Sequence, residues 1–136
     1  MDLMKSMSVS ASGMRVQGMR MKMISENIAN ADSVTNADGT GPYRRQGMYL
    51  QPDNNRADGV TKVKLSAIRN DYTTPLKQIY DPTHEFADER GFVQMPNVDI
   101  TLESADLREA ARSYEANLSA IDSTKRMMQR TISILQ

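Results

Sequence analysis

The sequence contains no cysteine, no tryptophan and a single histidine. Without cysteine the chain can form neither a disulfide nor a thiolate metal site. One histidine leaves little material for general acid–base catalysis. The chain also shows no glycine-rich phosphate loop and no spacing typical of a Ser-His-Asp triad. We therefore predict that the protein is not an enzyme, has no catalytic residues and binds neither a cofactor nor a metal.

The chain has no excess of either sign of charge, because 17 basic side chains balance 17 acidic ones. Residues 34–96 carry eight of each sign, and the regions on either side of them are almost neutral. Proteins that bind nucleic acid usually carry a basic face or arm, so we expect no nucleic-acid partner. No apolar run reaches the roughly 18 residues of a membrane span, and the first residues do not resemble a secretory signal. We expect no direct membrane insertion and no cleaved signal peptide.

The strongest positive signal is a row of mostly apolar residues near the end of the chain. Its members are separated by alternating steps of four and three, which keeps them on one side of an α-helix, as a coiled-coil seam requires. Three residues are alternative candidates for the N-cap of this helix: Asp99, Thr101 and Ser104. The row consists of Leu107, Ala111, Tyr114, Leu118, Ile121, Lys125, Met128, Ile132 and Leu135. Only Lys125 interrupts it.

A second row with the same rhythm opens the chain. Seven of the eleven methionines lie within the first 23 residues. Methionine is flexible, so it suits either the filling of a core or contact with several non-identical neighbours. The row consists of Leu3, Met7, Ser10, Met14, Gln17, Met21, Ile24, Ile28 and Ala31. We predict that fourteen of the eighteen members of the two rows form an assembly seam, leaving out Ser10, Gln17, Ala31 and Lys125. The fourteen are Leu3, Met7, Met14, Met21, Ile24, Ile28, Leu107, Ala111, Tyr114, Leu118, Ile121, Met128, Ile132 and Leu135.

The middle of the chain has a different pattern. Turn-forming Gly, Pro, Asn and Asp separate short segments with the period-two alternation or the composition of β-strands. We predict strands at 43–51, 60–68, 75–80 and 91–93.

These patterns together predict an α+β protein. A helix within residues 1–33 pairs as a coiled coil with a helix within residues 101–136. A small, hairpin-like β-rich insertion occupies residues 34–100.

Several short motifs narrow the interpretation further. Asn27-Ile28-Ala29-Asn30-Ala31 resembles the N-terminal motif of the bacterial flagellar rod and hook axial proteins. Five other segments occur in the order found in the proximal rod proteins of that family. They are Gly41-Pro42-Tyr43-Arg44-Arg45-Gln46, Ile79-Tyr80-Asp81-Pro82-Thr83-His84, Gly91-Phe92-Val93, Met95-Pro96-Asn97-Val98 and Ser113-Tyr114-Glu115-Ala116-Asn117.

The resemblance implies a structural component of the flagellar basal body. Such proteins assemble through their terminal helices into the axial tube that transmits torque. Their partners are other copies of themselves and other rod proteins. They reach the periplasmic rod through the type III export apparatus without a cleaved signal peptide. The residues that carry the resemblance are Asn27, Asn30, Tyr43, Arg44, Arg45, Asp81, Pro82, Asn97, Tyr114, Glu115 and Asn117.

Two rival functions remain open at this point. One is a soluble coiled-coil adaptor or export chaperone that never polymerises. The other is a small hydrolase that uses Asp81, His84 and Asp88. These residues, with Glu85, also suggest a metal site, but one histidine among carboxylates in a turn-rich segment is usually a locally bonded group.

Overall fold

The computed structural model describes residues 2–34, 41–54 and 59–134, and it confirms the predicted α+β fold. Along the sequence, a long helix at each end of the chain flanks two β-hairpins. The elements are α1 (Leu3–Ala29), β1 (Gln46–Asp53), β2 (Lys62–Asn70), β3 (Lys77–Tyr80), β4 (Phe92–Met95) and α2 (Ile100–Ile134). Seam residue Leu135 lies outside the described residues.

Helix α1 is capped by a polar side chain at each end. The Asp2 carboxylate accepts hydrogen bonds from the backbone N–H groups of Met4 (3.2 Å) and Lys5 (3.4 Å), which satisfies donors that the first turn leaves unpaired. Asn30 is the C-cap, and its side-chain amide donates to the carbonyl oxygen of Glu26 at 2.8 Å.

Helix α2 begins one residue after its cap. Asp99 is the candidate that caps it, since its carboxylate accepts from the N–H groups of Thr101 (2.9 Å) and Leu102 (3.4 Å). The helix has 35 residues, which corresponds to a length of about 52 Å. Neither helix in the described part of the chain is both long and apolar enough to cross a bilayer.

The two helices pack antiparallel. Gly13 of α1 lies against the side chain of Asn117, while Arg20 reaches Asp106 and Asn27 reaches Glu103. Residue numbers therefore rise along one helix as they fall along the other. Because α2 is longer than α1, its end runs past the start of α1, and residues 129–134 are all exposed.

The insertion consists of two separate antiparallel hairpins. Strands β1 and β2 pair from Gln46↔Asn70 to Asp53↔Lys62, with a register shift after Tyr49. Strands β3 and β4 pair from Lys77↔Met95 to Tyr80↔Phe92. All four predicted strands are present, although their ends differ from the predicted ones by up to three residues.

Strand β1 starts at Gln46, three residues later than predicted. Competing hydrogen bonds contribute to this, because the N–H of Arg45 donates to the side-chain oxygen of Asn97 at 2.8 Å and that of Tyr43 to the carbonyl oxygen of Ser33 at 3.0 Å.

Among the described residues, the buried apolar side chains lie in the helices, just after α1 and around the second hairpin. They are Val16, Met23, Ile24, Ala31, Val93, Val98 and Ala110.

Candidate assembly surface and its polar cluster

Asn27, near the end of α1, is fully buried and all its side-chain hydrogen-bonding capacity is used. Its oxygen accepts from the hydroxyl of Tyr43 (2.9 Å) and from the N–H of Gln46 (2.9 Å). Its nitrogen donates to the carbonyl oxygen of Gln46 (3.0 Å) and to the Glu103 carboxylate (3.1 Å). The amide thus pairs with the Gln46 backbone as a neighbouring strand would, which fixes the start of β1 against α1.

Glu103, in the first turn of α2, is the charged centre of this polar cluster. Its side chain is 1% exposed, and a buried carboxylate needs a partner for its charge. The partner is the guanidinium of Arg45, whose Nε donates to one oxygen while Asn27 binds the other. Arg45 also lies 3.8 Å from Asp106, which in turn lies 3.6 Å from Arg20. The cluster therefore joins α1, α2 and the entry to β1.

Asn97 connects the second hairpin to the same cluster. It accepts from the N–H of Arg45, and its side-chain nitrogen donates to the carbonyl oxygens of Asp71 (3.1 Å) and Thr74 (3.2 Å). These carbonyls belong to the connection between the hairpins. One amide therefore links the approach to α2 with the start of β1 and with the inter-hairpin segment.

Tyr43 is held in its neutral form within the cluster. Burial is the main cause that raises the pKa of its hydroxyl, and the negative charges of Glu26 and Glu103 raise it further. The protonated hydroxyl is the form that can donate to Asn27.

Four of the eleven motif residues, namely Asn27, Tyr43, Arg45 and Asn97, thus meet in one cluster although they are up to 70 positions apart. The other motif residues lie elsewhere. Asn30 caps α1, and the Arg44 guanidinium stacks over the Tyr72 ring at 4.8 Å. On α2, Tyr114 is half-buried and Glu115 is exposed. Glu103 was not among the predicted site residues, since an acidic residue in a first helical turn is equally expected from the helix dipole.

The Asp81-Pro82 motif builds a tight turn around a glycine. Gly91 has φ of +80°, and a Cβ added to it would lie 3.0 Å from the Tyr80 ring and 3.1 Å from Pro82 Cβ. Asp81 accepts from the hydroxyl (2.7 Å) and the N–H (3.1 Å) of Thr83, and the hydroxyl hydrogen bond is the main cause that lowers the pKa of its carboxyl.

Three of the four candidates for metal or hydrolytic chemistry, Asp81, His84 and Asp88, form local hydrogen bonds in this same segment. Asp88 accepts from the N–H groups of Arg90 (2.9 Å) and Phe92 (2.8 Å), and His84 Nδ1 accepts from the N–H of Phe86 (3.2 Å). Each of the three side chains stabilises a local turn, and they do not form a group that could hold a metal ion within the described residues.

The contact between the helices combines apolar residues with small and polar ones. On α1 the buried residues are Val16, Met23, Ile24 and Asn27. On α2 the buried residues Glu103, Ala110 and Thr124 share a seven-residue spacing that also includes Asn117. Asn117 donates to the carbonyl oxygen of Ser113 at 2.9 Å and lies directly opposite Gly13. Because Gly13 has no Cβ, it leaves room for the Asn117 side chain between the helices.

The predicted seam lies mainly beside this contact line. Ile24 is buried, while Leu118 and Ile132 are exposed. Ten of the fourteen seam residues are half-buried: Leu3, Met7, Met14, Met21, Ile28, Leu107, Ala111, Tyr114, Ile121 and Met128. The helix pair consequently presents two partly uncovered apolar rows along its length.

Comparison with known proteins agrees with these features. The family model "Flagella basal body rod protein" matches residues 7–37, and "Flagellar basal body rod FlgEFG protein C-terminal" matches residues 89–134. The chain is 40% identical over 128 residues to the flagellar basal-body rod protein FlgC of Agrobacterium fabrum, covering 94% of this chain and 91% of the relative. The chain belongs to the FlgC family of flagellar basal-body rod proteins. This confirms the family resemblance that the motifs indicate.

Other FlgC proteins match over a similar extent. The chain is 35% identical over 136 residues to FlgC of Salmonella typhimurium, with 100% of each covered. It is 38% identical over 131 residues to FlgC of Aquifex aeolicus, with 96% of each covered. Asn27 lies within the first family match and Asn97 and Glu103 within the second, so the polar cluster joins the two separately matched regions.

Proposed function

We propose that this chain is a structural subunit of the flagellar basal-body rod, and that it acts by assembling rather than by catalysis. Membership of the FlgC family supports this function. The observation that carries the mechanism is the pair of half-buried apolar rows beside the helix contact. Their remaining apolar surface is available for neighbouring subunits, since burying it removes further apolar area from water.

The partners we propose are the other rod proteins and further copies of this chain. The overhanging end of α2 supports contact beyond a single chain, because Ile132 (57% exposed) and Ile134 (83% exposed) have little cover there. Exposed apolar side chains at the end of a long helix gain stability when a neighbouring subunit covers them.

The polar cluster has a supporting role in this proposal. It fixes the hairpins against the ends of both helices, so that subunits carry their outer parts in one defined orientation. A rod that transmits torque requires such a fixed orientation.

We further propose that the chain resides in the periplasmic, proximal part of the rod and passes through the type III export apparatus without a cleaved signal. Intact mass spectrometry of the chain recovered from basal bodies tests the second point. The expected mass is that of the full sequence, with or without Met1. A chain shortened by the length of a leader would contradict it.

Fractionation tests the main proposal against the soluble adaptor or chaperone. Basal bodies purified in detergent should retain the chain together with other rod components, and imaging should resolve its helices within the axial structure. Recovery of the chain only in the soluble fraction of motile cells would refute the rod assignment.

A further inference from the structure

We propose that the two hairpins form a contact between neighbouring copies of this chain, in which the first hairpin of one copy binds the second hairpin of the next. The inference rests on the proposed function, because it concerns subunits that are assembled in the rod. It adds an interaction surface outside the helix pair, between residues 46 and 95, and it names the partner as a second copy of this chain.

The first hairpin, formed by β1 and β2, is only partly covered within the chain. Among the described elements it packs against α1 alone. Four of its large apolar side chains are between 41% and 57% exposed, namely Tyr49, Leu50, Val63 and Ile68. Single exposed apolar side chains are common on protein surfaces, but four on one two-stranded sheet form a surface that gains stability when a partner covers it.

The second hairpin, formed by β3 and β4, receives no cover from any other helix or strand that the structure describes. The rings of Tyr80 and Phe92 pack edge to face with their centroids 5.3 Å apart, and both side chains remain exposed. Phe92 also lines a groove of about 270 Å³ together with Val34, Pro42 and Phe86. Such a groove accepts an apolar side chain from a partner, as the central pockets of protein interfaces do.

The two hairpins carry opposite net charge. Residues 46–70 contain four basic and two acidic side chains, which gives +2, whereas residues 77–95 contain two basic and four acidic ones, which gives −2. Within the described part of one chain the hairpins do not pack on each other. Their complementary charges are therefore available for a contact with another molecule.

Exposed side chains carry this difference in charge. Lys64 and Arg69 are exposed on the first hairpin, and Glu85 and Glu89 are exposed on the second. Neither glutamate has a hydrogen bond or ion pair with another described residue. Opposite charges around an apolar contact guide two surfaces together and disfavour wrong partners.

A second copy of the chain is the partner that matches both features. Every copy brings one basic and one acidic hairpin, each with exposed apolar side chains. Contact between two identical hairpins would place like charges together, which is unfavourable. Contact between two different hairpins is heterologous, so it can repeat from subunit to subunit along an open array.

Photo-crosslinking in purified basal bodies tests the partner and the site. Ile68 is replaced by p-benzoylphenylalanine, and after irradiation peptide mass spectrometry identifies the segment that is linked to position 68. We expect a dimer of this chain in which position 68 is joined to a peptide from residues 77–95. A link to another rod protein, a link to a different segment of this chain, or no intermolecular link would overturn the inference.

The same probe in place of Ser119, an exposed residue of α2, is the matched control. It should give no link to residues 77–95, and equal labelling of this segment from both positions would also overturn the assignment. The outcomes are distinct from failure of the proposed function. If the wild-type chain is missing from basal bodies, the rod function fails; if the chain is present but position 68 links elsewhere, only the hairpin contact is wrong.

Charge reversal tests the electrostatic part in cells that express each variant alone. Lys64→Glu/Arg69→Glu and Glu85→Lys/Glu89→Lys should each lower the number of complete basal bodies per cell at least about fivefold, because each pair places like charges across the contact. The 3.1 Å ion pair of Lys64 with Asp53 is exposed, so its loss has little effect on folding.

The chain with all four substitutions again has opposite charges on its two hairpins. Its number of complete basal bodies should return to within about twofold of the wild-type value, since the effects of interacting residues are not additive. Absence of this recovery, or no loss in either double variant, would overturn the inference.

Discussion

Asn27 Nδ2 donates a 3.1 Å hydrogen bond to the buried carboxylate of Glu103, which lies 76 positions further along the chain. Both side chains are almost completely inaccessible to solvent. This contact joins the end of α1 to the first turn of α2. It also brings in the Arg45 guanidinium, whose charge compensates that of the carboxylate. The stability of the helix pair therefore depends on a polar contact as well as on apolar packing.

Asn27→Ala should lower the free energy of unfolding by about 2–4 kcal/mol, because it leaves the buried groups that bind the amide without a partner. Asn30→Ala is the matched control. Its amide closes the end of the helix and accepts from the Ser33 hydroxyl, but it is only half-buried, so the loss should be about 1 kcal/mol or less. Urea unfolding followed by circular dichroism measures both. Equal losses for the two variants would contradict the role assigned to the cluster.

The two glycines of α1 should respond differently to alanine. No atom of the described residues lies within 4 Å of a Cβ added at Gly18, so Gly18→Ala should raise the free energy of unfolding by roughly 0.5–1 kcal/mol through helix propensity. A Cβ at Gly13 would lie 3.0 Å from Asn117 Nδ2, so Gly13→Ala should gain less or lose stability. Thermal unfolding compares them. A gain at Gly13 as large as that at Gly18 would show that the helices do not approach closely there.

Gly91→Ala should lower the free energy of unfolding by about 2 kcal/mol, since its positive φ disfavours any side chain and a Cβ would press on Tyr80 and Pro82. Urea unfolding measures the loss. Gly47→Ala serves as the control because, in the part of the chain that the structure describes, its added Cβ would meet only the Arg69 carbonyl oxygen at 3.9 Å. A loss no larger than that of the control would argue against a strained turn.

Leu118→Asp should abolish incorporation into basal bodies and motility while changing the unfolding free energy by less than about 1 kcal/mol. The reason is that Leu118 is 42% exposed in the single chain, and surface substitutions usually have small effects on stability. Ser119→Asp, also at an exposed position of α2, should leave motility intact. Swarming plates and basal-body purification provide the measurements. Motile cells that carry Leu118→Asp would argue strongly against the seam.

The hydrophobic period of the sequence predicts the helices well but not the line along which they touch. The predicted rows include Met14 and Leu107, which are half-buried, whereas the buried residues Val16, Met23 and Ala110 lie outside both rows. Val16 and Met23 fall outside the four-three rhythm, and alanine carries little hydrophobic signal. Periodicity therefore indicates which side chains tend to be buried. It does not indicate whether they are buried by the chain itself or by a neighbouring subunit.

The polar cluster could be predicted only in part. The motifs point to Asn27, Tyr43, Arg45 and Asn97, but neither their convergence nor the role of Glu103 follows from local pattern. Contacts between residues dozens of positions apart depend on the path of the chain between them. A carboxylate in a first helical turn also has an ordinary explanation in the helix dipole, which conceals its burial.

The hairpins leave and re-enter the helix pair at the same end, where two backbone connections join them to it. Those two connections alone would let the hairpins rotate relative to the helices. The hydrogen bonds of Asn27, Arg45 and Glu103 oppose this rotation at that end, and the 3.4 Å hydrogen bond from the N–H of Val63 in β2 to the hydroxyl of Ser12 in α1 opposes it farther along the helix. Load applied to the outer part of a subunit can then reach its helices without being lost in rotation at the joint.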